Sequence, residues 1–326
     1  MGLGEFGRIE KFFKPLAAGF PGALDLGDDA AVLPVEGLSG LVVSNDAVVA
    51  GVHFRANDPA DLVARKALRC NLSDMAAMGA EPLAYTLTLA LNRSDATTND
   101  QWVERLASGL ATDQECFGVH LIGGDSVSTP GPTMLSITIF GKQRGDVVLR
   151  RSGARVGDDI YVSGTIGDAA LGLKVLEEAL DAGADAAFLA DRYHLPRPRV
   201  ALGLAVLGSA TAAMDVSDGL AQDLSHICAA SKVAGELSAQ DVPLSAPARA
   251  LLAAGRVTIE DILGGGDDYE LLFTAPPAAR ETVVAISRDV ATEVSRIGRI
   301  VEGRGITLHG ADGRVVPLER LGYRHE

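Results

Sequence analysis

The alternation of apolar and polar positions along the chain divides it into segments of helical and of strand character. Residues 61–78 place apolar side chains at near-helical spacing and are followed by Gly79 and Pro82, which predicts a helix that ends there. Residues 82–91 alternate strictly between large apolar and small side chains, which predicts a strand with two different faces. Further strands are predicted at 41–49, 119–122, 134–141, 160–163 and 269–274, and helices at 9–16, 99–117 and 168–180. The fold class is therefore α/β or α+β.

The length of the chain indicates two domains. A chain of 326 residues is too long for one ordinary core. Residues 143–157 are rich in arginine and glycine, so we place the boundary there, with domains at 1–146 and 147–326. At the end of this stretch, Gly157-Asp158-Asp159 is interpreted as a surface turn.

Composition then narrows the classes of protein. Apolar residues make up 47% of the chain and charged residues 22%, which excludes a disordered chain. No apolar run approaches the ~20 residues that span a bilayer, and the first residues lack a signal-peptide pattern, so we expect a cytoplasmic protein without a membrane partner. The net charge of −14 and the lack of a basic patch argue against nucleic-acid binding. The three cysteines are far apart and predict no disulfide framework.

Aspartates recur beside glycines at the ends of apolar segments. The clusters lie at residues 27–29, 44–46, 71–74, 123–125, 215–218 and 264–268. Carboxylates at strand ends point into crevices where ligands bind, and clusters of oxygen ligands suit Mg²⁺. Each cluster alone is equally well explained as a turn or a helix cap. Asp74 is the stronger candidate, because a lone carboxylate in an otherwise apolar helix is costly unless it is paired or binds a metal.

Other motifs are absent or ambiguous. The sequence has no GxxxxGK[ST] loop, GxSxG elbow or HExxH helix, and its one GxGxxG match, at residues 2–7, follows no strand. His53 follows the strand that carries Asp46 and is either a site residue or a hydrogen-bonded structural histidine. Arg151 is either a phosphate partner or a surface arginine of a linker.

Taken in order, these segments resemble the thiamine-monophosphate kinase family. The matching segments are residues 4–6, 27–31, 44–46, 51–54, 71–82, 121–125, 151–158, 215–220 and 265–273. The resemblance implies a two-domain fold like that of aminoimidazole-ribonucleotide synthetase. In it, the sheet of the N-terminal domain pairs with a second subunit to form a homodimer, and the C-terminal domain is an α/β sandwich. It also implies an enzyme that uses ATP to phosphorylate thiamine monophosphate to thiamine diphosphate.

The resemblance assigns roles to particular residues. It implies that several Mg²⁺ ions are held by Asp29, Ser44, Asn45, Asp46, Asp74, Asp125, Asp215 and Asp218. It implies that ATP is contacted by Gly124, Asp125, Arg151 and Ser217, and the acceptor by His53, Asp267 and Tyr323. Two positions depart from the family pattern. Asn45 replaces a frequent threonine, which is harmless if its backbone carbonyl is the ligand, and Asp267 replaces a frequent glutamate with a shorter side chain.

A phosphate acceptor simplifies the chemistry. Its second pKa is about 6, so it is already an anion at neutral pH and no protein base has to activate it. The difficulty is the repulsion between two polyanions, since unit charges ~4 Å apart repel by about 4 kcal/mol at an effective dielectric of ~20. Metal ions that screen this repulsion favour direct in-line transfer, with a covalent aspartyl route as the alternative.

Three related ATP enzymes and one other class of protein are the rival interpretations. Selenophosphate synthetase carries a reactive cysteine near the start of the chain, whereas the first cysteine here is Cys70. The hydrogenase-maturation relative uses a C-terminal cysteine, which the final residues 323–326 do not contain. Aminoimidazole-ribonucleotide synthetase fits the segments at 71–74 and 265–273 less well. An acidic cation-binding protein without enzymatic activity is the alternative of a different class.

Overall fold

A computed structural model describes residue 14 and residues 21–33, 40–92, 94, 100–318 and 320–323. The helix predicted at 9–16 lies outside these residues except for Lys14, which is helical. Within the described ranges, every helix is too short or too polar to cross a membrane.

The first half of the chain forms a sheet that is covered by helices on one side. Its described strands are β1 (Ala31–Leu33), β2 (Leu41–Val49), β3 (Ala80–Asn92), β4 (His120–Thr129) and β5 (Met134–Gln143), in the order β1-β2-β5-β3-β4. The helices are α1 (Ala60–Ala77) and α2 (Asp100–Phe117). Only the β3–β4 pair is parallel among these strands. The core forms between α1 and β5, where Leu68, Leu72 and Ile137 are fully buried.

The second half of the chain forms a larger mixed sheet with its own core. Its described strands are β6 (Asp159–Ser163), β7 (Ala212–Asp215), β8 (Ala234–Ser238), β9 (Leu271–Ala275), β10 (Val294–Val301), β11 (Gly305–His309) and β12 (Val315–Val316), in the order β12-β11-β8-β10-β6-β9-β7. The helices are α3 (Asp168–Leu176), α4 (Ala186–His194), α5 (Val200–Ala205), α6 (Leu220–Ser231), α7 (Ala246–Ala253), α8 (Ile259–Leu263) and α9 (Arg280–Asp289). Ile160, Val162 and Leu272 are fully buried at its centre.

Helix α1 joins the two halves. It lies under the first sheet and also contacts α5 and β7 of the second half. Gly203 of α5 meets Ala76 of α1 so closely that an added Cβ would collide with the Ala76 carbonyl oxygen. The polar residues of α1 therefore lie at the junction between the halves. The strands of the first sheet end at Gln143 and those of the second begin at Asp159, while the boundary after residue 146 stays a prediction.

Most of the predicted elements are confirmed, and two differ in length. The strand predicted at 119–122 continues to Thr129, because it pairs in parallel with β3 along its whole length. Gly124 is required there, since an added Cβ would collide with the carbonyl oxygen of Leu87. The helix predicted at 168–180 ends at Leu176.

The interpretation of Gly157-Asp158-Asp159 as a surface turn is correct for Gly157, which is exposed in a turn, and wrong for the two aspartates. Asp158 and Asp159 are both buried. Asp159 accepts hydrogen bonds from Arg280 Nε at 2.7 Å and Arg296 Nη1 at 3.2 Å, and these bonds hold its pKa below the ordinary value. Asp159, the first residue of β6, therefore connects this strand to arginines that lie more than a hundred residues later in the chain.

Candidate active site

A cavity of about 330 Å³ opens where the two halves of the chain meet. The predicted site residues that line it are Asp29, Ser44, Asn45, Asp46, His53, Asp74, Arg151, Asp215, Ser217, Asp218, Asp267 and Tyr323. Gly124 and Asp125 do not line it. They lie on the exposed edge strand β4, where Asp125 Oδ1 accepts a hydrogen bond from Ser126 N at 2.8 Å. The predicted contacts of these two residues with Mg²⁺ and ATP therefore stay predictions.

Three aspartates from distant parts of the chain form what we call the carboxylate cluster. Asp29 precedes β1, Asp74 lies in α1 and Asp215 ends β7. Each offers an oxygen atom, and these atoms all lie within 4.8 Å of one another. Asp29 Oδ2 is buried and accepts no hydrogen bond from the described residues. Such a set of hard oxygen ligands is what Mg²⁺ prefers.

The pKa values in the carboxylate cluster are raised, which indicates that its negative charges are not fully balanced by nearby positive charges. Burial raises the pKa of Asp74 well above its ordinary value, and the neighbouring carboxylates raise it further. A hydrogen bond from Ser44 Oγ to Asp74 Oδ2, at 2.5 Å, opposes this shift. Burial and the charge of Asp29 likewise raise the pKa of Asp215 to about 7. A divalent cation among these oxygens would remove the repulsion between them.

Strand β2 presents alternate residues to opposite sides of its sheet. Ser44 and Asp46 face α1, where Ser44 Oγ donates to Asp74 Oδ2 and Asp46 N donates to Asn71 Oδ1 at 3.1 Å. The Asn45 side chain lies on the other side, where its Nδ2 donates to Ile137 O and to Thr138 Oγ1, both at 2.9 Å. Asn45 therefore offers its backbone to the cavity, which agrees with the interpretation that its replacement of threonine is harmless.

Arg151 is the cation that the chain itself brings to the carboxylate cluster. Its guanidinium is largely buried and donates to Asp29 Oδ1, while its backbone N donates to Asp28 Oδ1 at 2.7 Å. Burial opposes protonation, but the charge of Asp29 outweighs it and raises the pKa of Arg151. The alternative of an exposed linker arginine is therefore wrong. A guanidinium in this position has the planar donor geometry that phosphate groups accept.

The turn between β7 and α6 adds a second group of possible ligands. Asp218, Asp223 and His226 each offer an atom within 4.8 Å of the others. Asp223 Oδ2 accepts hydrogen bonds from the backbone N of Asp218 at 3.1 Å and of Gly219 at 3.0 Å. Asp223 and His226 were not among the predicted site residues. The signal that points to them is their spacing on α6, which brings both toward Asp218.

Tyr323 lies beside the same turn. Its backbone N donates to Asp218 O at 2.9 Å, and its carbonyl accepts from Gln222 Nε2 at 2.7 Å. The same Gln222 amide donates to Asp218 Oδ2 at 2.9 Å. Tyr323 is thus fixed against the turn that carries Ser217 and Asp218.

The predicted acceptor contacts His53 and Asp267 come from different halves of the chain. Val49 N donates to His53 Nδ1 at 3.2 Å, which orients the imidazole. Asp267 N donates to Ser217 O at 2.7 Å, so the segment with Asp267 is bound to the turn with Ser217. Asp267 Oδ2 accepts from Lys66 Nζ at 2.7 Å. Lys66 was not predicted, although a charged residue in the apolar helix α1 is the same signal that indicated Asp74.

Comparison with models of known protein families places the chain in a family. A family model described as AIR synthase related protein, N-terminal domain, matches residues 27–143. A second model, AIR synthase related protein, C-terminal domain, matches residues 155–311. The chain therefore belongs to the AIR synthase related proteins, and the predicted two-domain fold of that class is confirmed.

Comparison with individual relatives shows to which family within this class the chain belongs. A thiamine-monophosphate kinase of Caulobacter vibrioides is 44% identical over 98% of this chain and 90% of its own length. The solved AaThiL complexed with AMPPCP and TMP has a TM-score of 0.85 at 30% identity and covers 99% of this chain and 97% of its own. Thiamine-monophosphate kinase from Stenotrophomonas maltophilia K279a has a TM-score of 0.78 at 39% identity, with 97% and 99% covered. Within its class, the chain belongs to the thiamine-monophosphate kinase family.

Proposed function

We propose that the protein transfers the γ-phosphoryl group of ATP to the phosphate of thiamine monophosphate, giving thiamine diphosphate and ADP. The observation that carries this proposal is the single cavity that holds both the carboxylate cluster with Arg151 and the predicted acceptor contacts His53 and Asp267. Full-length relatives named thiamine-monophosphate kinase support it, as does the relative that binds AMPPCP and TMP.

The residues present fit Mg²⁺. Asp29, Asp74 and Asp215 would hold it, because Asp29 Oδ2 accepts no hydrogen bond from the described residues and the other two carboxyls have raised pKa values. Further oxygen donors at the cavity are Ser44, Asn45, Asp46 and Asp218. When bound, Mg²⁺ supplies charge neutralisation and stabilises the transferring phosphoryl group. Binding of several ions is our proposal from the two separate ligand groups.

Arg151 and the turn at Ser217 would bind the donor. Arg151 is held by Asp29 and Asp28, so its guanidinium is already oriented in the absence of nucleotide. The segment that carries Asp267 is bound to the Ser217 turn by two backbone bonds, Asp267 N to Ser217 O and Tyr269 N to Val216 O, both 2.7 Å. The predicted donor and acceptor contacts are therefore fixed relative to each other, which favours in-line approach.

The acceptor phosphate needs no base. It is ionised at neutral pH, with a second pKa of about 6. His53 is oriented through Nδ1 by a backbone N–H, and we assign it to acceptor binding. We propose direct transfer without a phosphoenzyme, because the acceptor phosphate can itself be the nucleophile.

The test compares thiamine with thiamine monophosphate at equal concentration and follows both ADP and phosphorylated product. We expect turnover with thiamine monophosphate and almost none with thiamine, because an alcohol would need a base to remove its proton. Comparable kcat/KM values for the two compounds would contradict both the acceptor assignment and the mechanism without a base. They would also make His53 a candidate base.

We also propose that the protein is a homodimer formed through the first sheet. Strand β4 lies at the edge of that sheet and exposes Leu121, Ile122 and Val127, with Ile122 63% exposed. An exposed apolar edge strand is a surface that another chain covers. Sedimentation should show a dimer at micromolar concentration, and Ile122→Lys should shift it toward the monomer. A wild-type monomer would contradict the proposal.

A cytoplasmic location stays a prediction.

A further inference from the structure

Lys66 is a buried lysine that connects the two halves of the chain. It lies in α1 and is only 2% exposed. Its Nζ donates to Asp267 Oδ2 at 2.7 Å and lies 3.6 Å from the centre of the Tyr193 ring. A buried ammonium is costly unless it is paired, so this carboxylate and this ring together stabilise it. Both partners come from the second half of the chain.

Tyr193 continues the connection to His53. Its hydroxyl donates to the backbone carbonyl of His53 at 3.4 Å. The next residue of α4, His194, contacts Asp58 Oδ1 through Nε2 at 3.1 Å. Asp58 in turn accepts from Arg55 N at 2.8 Å. Helix α4 thereby holds the loop that carries His53.

Asp267 has a backbone conformation that needs support. Its φ is +66°, a left-handed value that non-glycine residues seldom adopt, and it follows Gly266 at φ +71°. The backbone is held by the bond to Ser217 O, and the carboxylate is held by Lys66. Lys66 also neutralises this carboxylate in a cavity that is otherwise rich in aspartate, where an acceptor phosphate would be repelled.

We propose that Lys66, supported by Tyr193, is a positioning residue for the phosphate-bearing acceptor. It fixes Asp267 directly and the His53 loop through Tyr193, and so sets the affinity for the acceptor. The inference rests on the proposed function, and it adds two residues to the acceptor side of the site. It assigns them no part in binding ATP or in the transfer step.

The test measures KM for thiamine monophosphate and for ATP, and kcat, in Lys66→Met and Lys66→Arg. Loss of a charged hydrogen bond should raise the acceptor KM about tenfold to a hundredfold in Lys66→Met, with the ATP KM and kcat changed less than about threefold. Lys66→Arg keeps the charge and should recover most of the acceptor affinity. The matched control is Lys174→Met, which breaks a lysine–aspartate pair of 2.5 Å with Asp261 outside the cavity lining and should leave all three constants unchanged.

A double-mutant cycle with Asp267→Asn separates positioning from a general loss of stability. Because Lys66 acts through Asp267 as well as through Tyr193, the two substitutions together should raise the acceptor KM by clearly less than the product of their separate effects. Additive effects, or an unchanged acceptor KM in Lys66→Met, would overturn the proposal. If Lys66→Met does not fold, Tyr193→Leu replaces it, and an unchanged acceptor KM there overturns the proposal equally.

The wild-type enzyme distinguishes this inference from the proposed function. Absence of thiamine monophosphate turnover in the wild type contradicts the proposed function itself. Normal wild-type turnover with an unaltered acceptor KM in the variants contradicts only the role of Lys66.

Discussion

The carboxylate cluster and Asp267, which is paired with Lys66 behind it, line one cavity but have their charges balanced in different ways. The cluster brings three aspartates together with one arginine, and burial and mutual repulsion raise the pKa of Asp74 and Asp215. The pair matches one carboxylate with one buried ammonium at 2.7 Å. The difference agrees with our proposals that a cation from solution completes the cluster and that the acceptor side has Lys66 as its own cation.

Removing a carboxylate from the cluster should have the largest effect on activity. Asp74→Asn keeps the size of the side chain but removes a charged metal ligand, so we expect kcat to fall about 10³-fold or more. The fold should persist, because asparagine has the size of aspartate and burial already disfavours the charged form of Asp74, as its raised pKa shows. Circular dichroism near that of the wild type, together with the lost activity, checks this. Near-normal activity at saturating Mg²⁺ would remove Asp74 from the ligand set.

Asp125→Asn sharpens the comparison, because the family resemblance implies a metal-binding role for Asp125 but the structure places this residue outside the cavity lining. The pattern predicts a loss as large as that of Asp74→Asn, while Asp125 lies on β4 outside the cavity lining. We expect the large loss of kcat that the family pattern predicts. Measuring kcat of Asp125→Asn and Asp74→Asn side by side checks this expectation. Activity within about threefold of the wild type would exclude Asp125 from metal binding.

The stability of the metal-free protein should fall as the pH rises. The pKa of Asp215 is about 7 in the folded chain against an ordinary value of 3.8. Between these values the folded state holds more protons than the unfolded state, so the free energy of unfolding decreases from about pH 4 to about pH 7. Mg²⁺ should therefore raise Tm more at about pH 8 than at about pH 5. An equal increase in Tm at both pH values would contradict an excess of negative charge in the carboxylate cluster. Asp215→Asn should make the stability of the metal-free protein depend less on pH.

The smallest effect is expected at Asn45. Its side chain is bonded to Ile137 and Thr138 on the far side of the sheet, so Asn45→Thr should change kcat and both KM values by less than about twofold. Steady-state kinetics with each substrate checks this. A large rise in the Mg²⁺ requirement would show that the amide side chain, rather than the backbone, contributes to the metal site.

Local pattern predicted the elements, and the aspartate clusters together with the family resemblance predicted half of the residues that line the cavity. The helix at 61–78 and the strand at 41–49 are confirmed as α1 and β2, because each has a clear apolar period. Asp74 stood out because a carboxylate in an apolar helix needs a partner, and the structure places it in the cavity lining. The ligand role of Asp74 itself remains a prediction.

Long-range pairing could not be predicted in this way. Tyr193 lies 127 residues after Lys66, and a tyrosine near the end of a helix has no local signature of a cation–π contact. Asp159 resembles an ordinary turn residue until Arg280 and Arg296 are brought to it by the second sheet. Gly124 resembles a turn residue as well, and only the parallel neighbour β3 extends the strand through it. In each case the partner is set by the fold and not by the neighbouring sequence.

The proposed division of the cavity into a metal-binding side and an acceptor side is tested most directly by the Mg²⁺ dependence of thiamine diphosphate formation. This dependence is measured in the wild type, Lys66→Met and Asp74→Asn. Rates are measured across a range of Mg²⁺ concentrations with saturating ATP and saturating thiamine monophosphate. We expect Lys66→Met to have the wild-type Mg²⁺ requirement, and Asp74→Asn to be inactive or to need far more Mg²⁺. An unchanged Mg²⁺ requirement in an active Asp74→Asn variant, or a shifted requirement in Lys66→Met, would contradict the division of the cavity into a metal-binding side and an acceptor side.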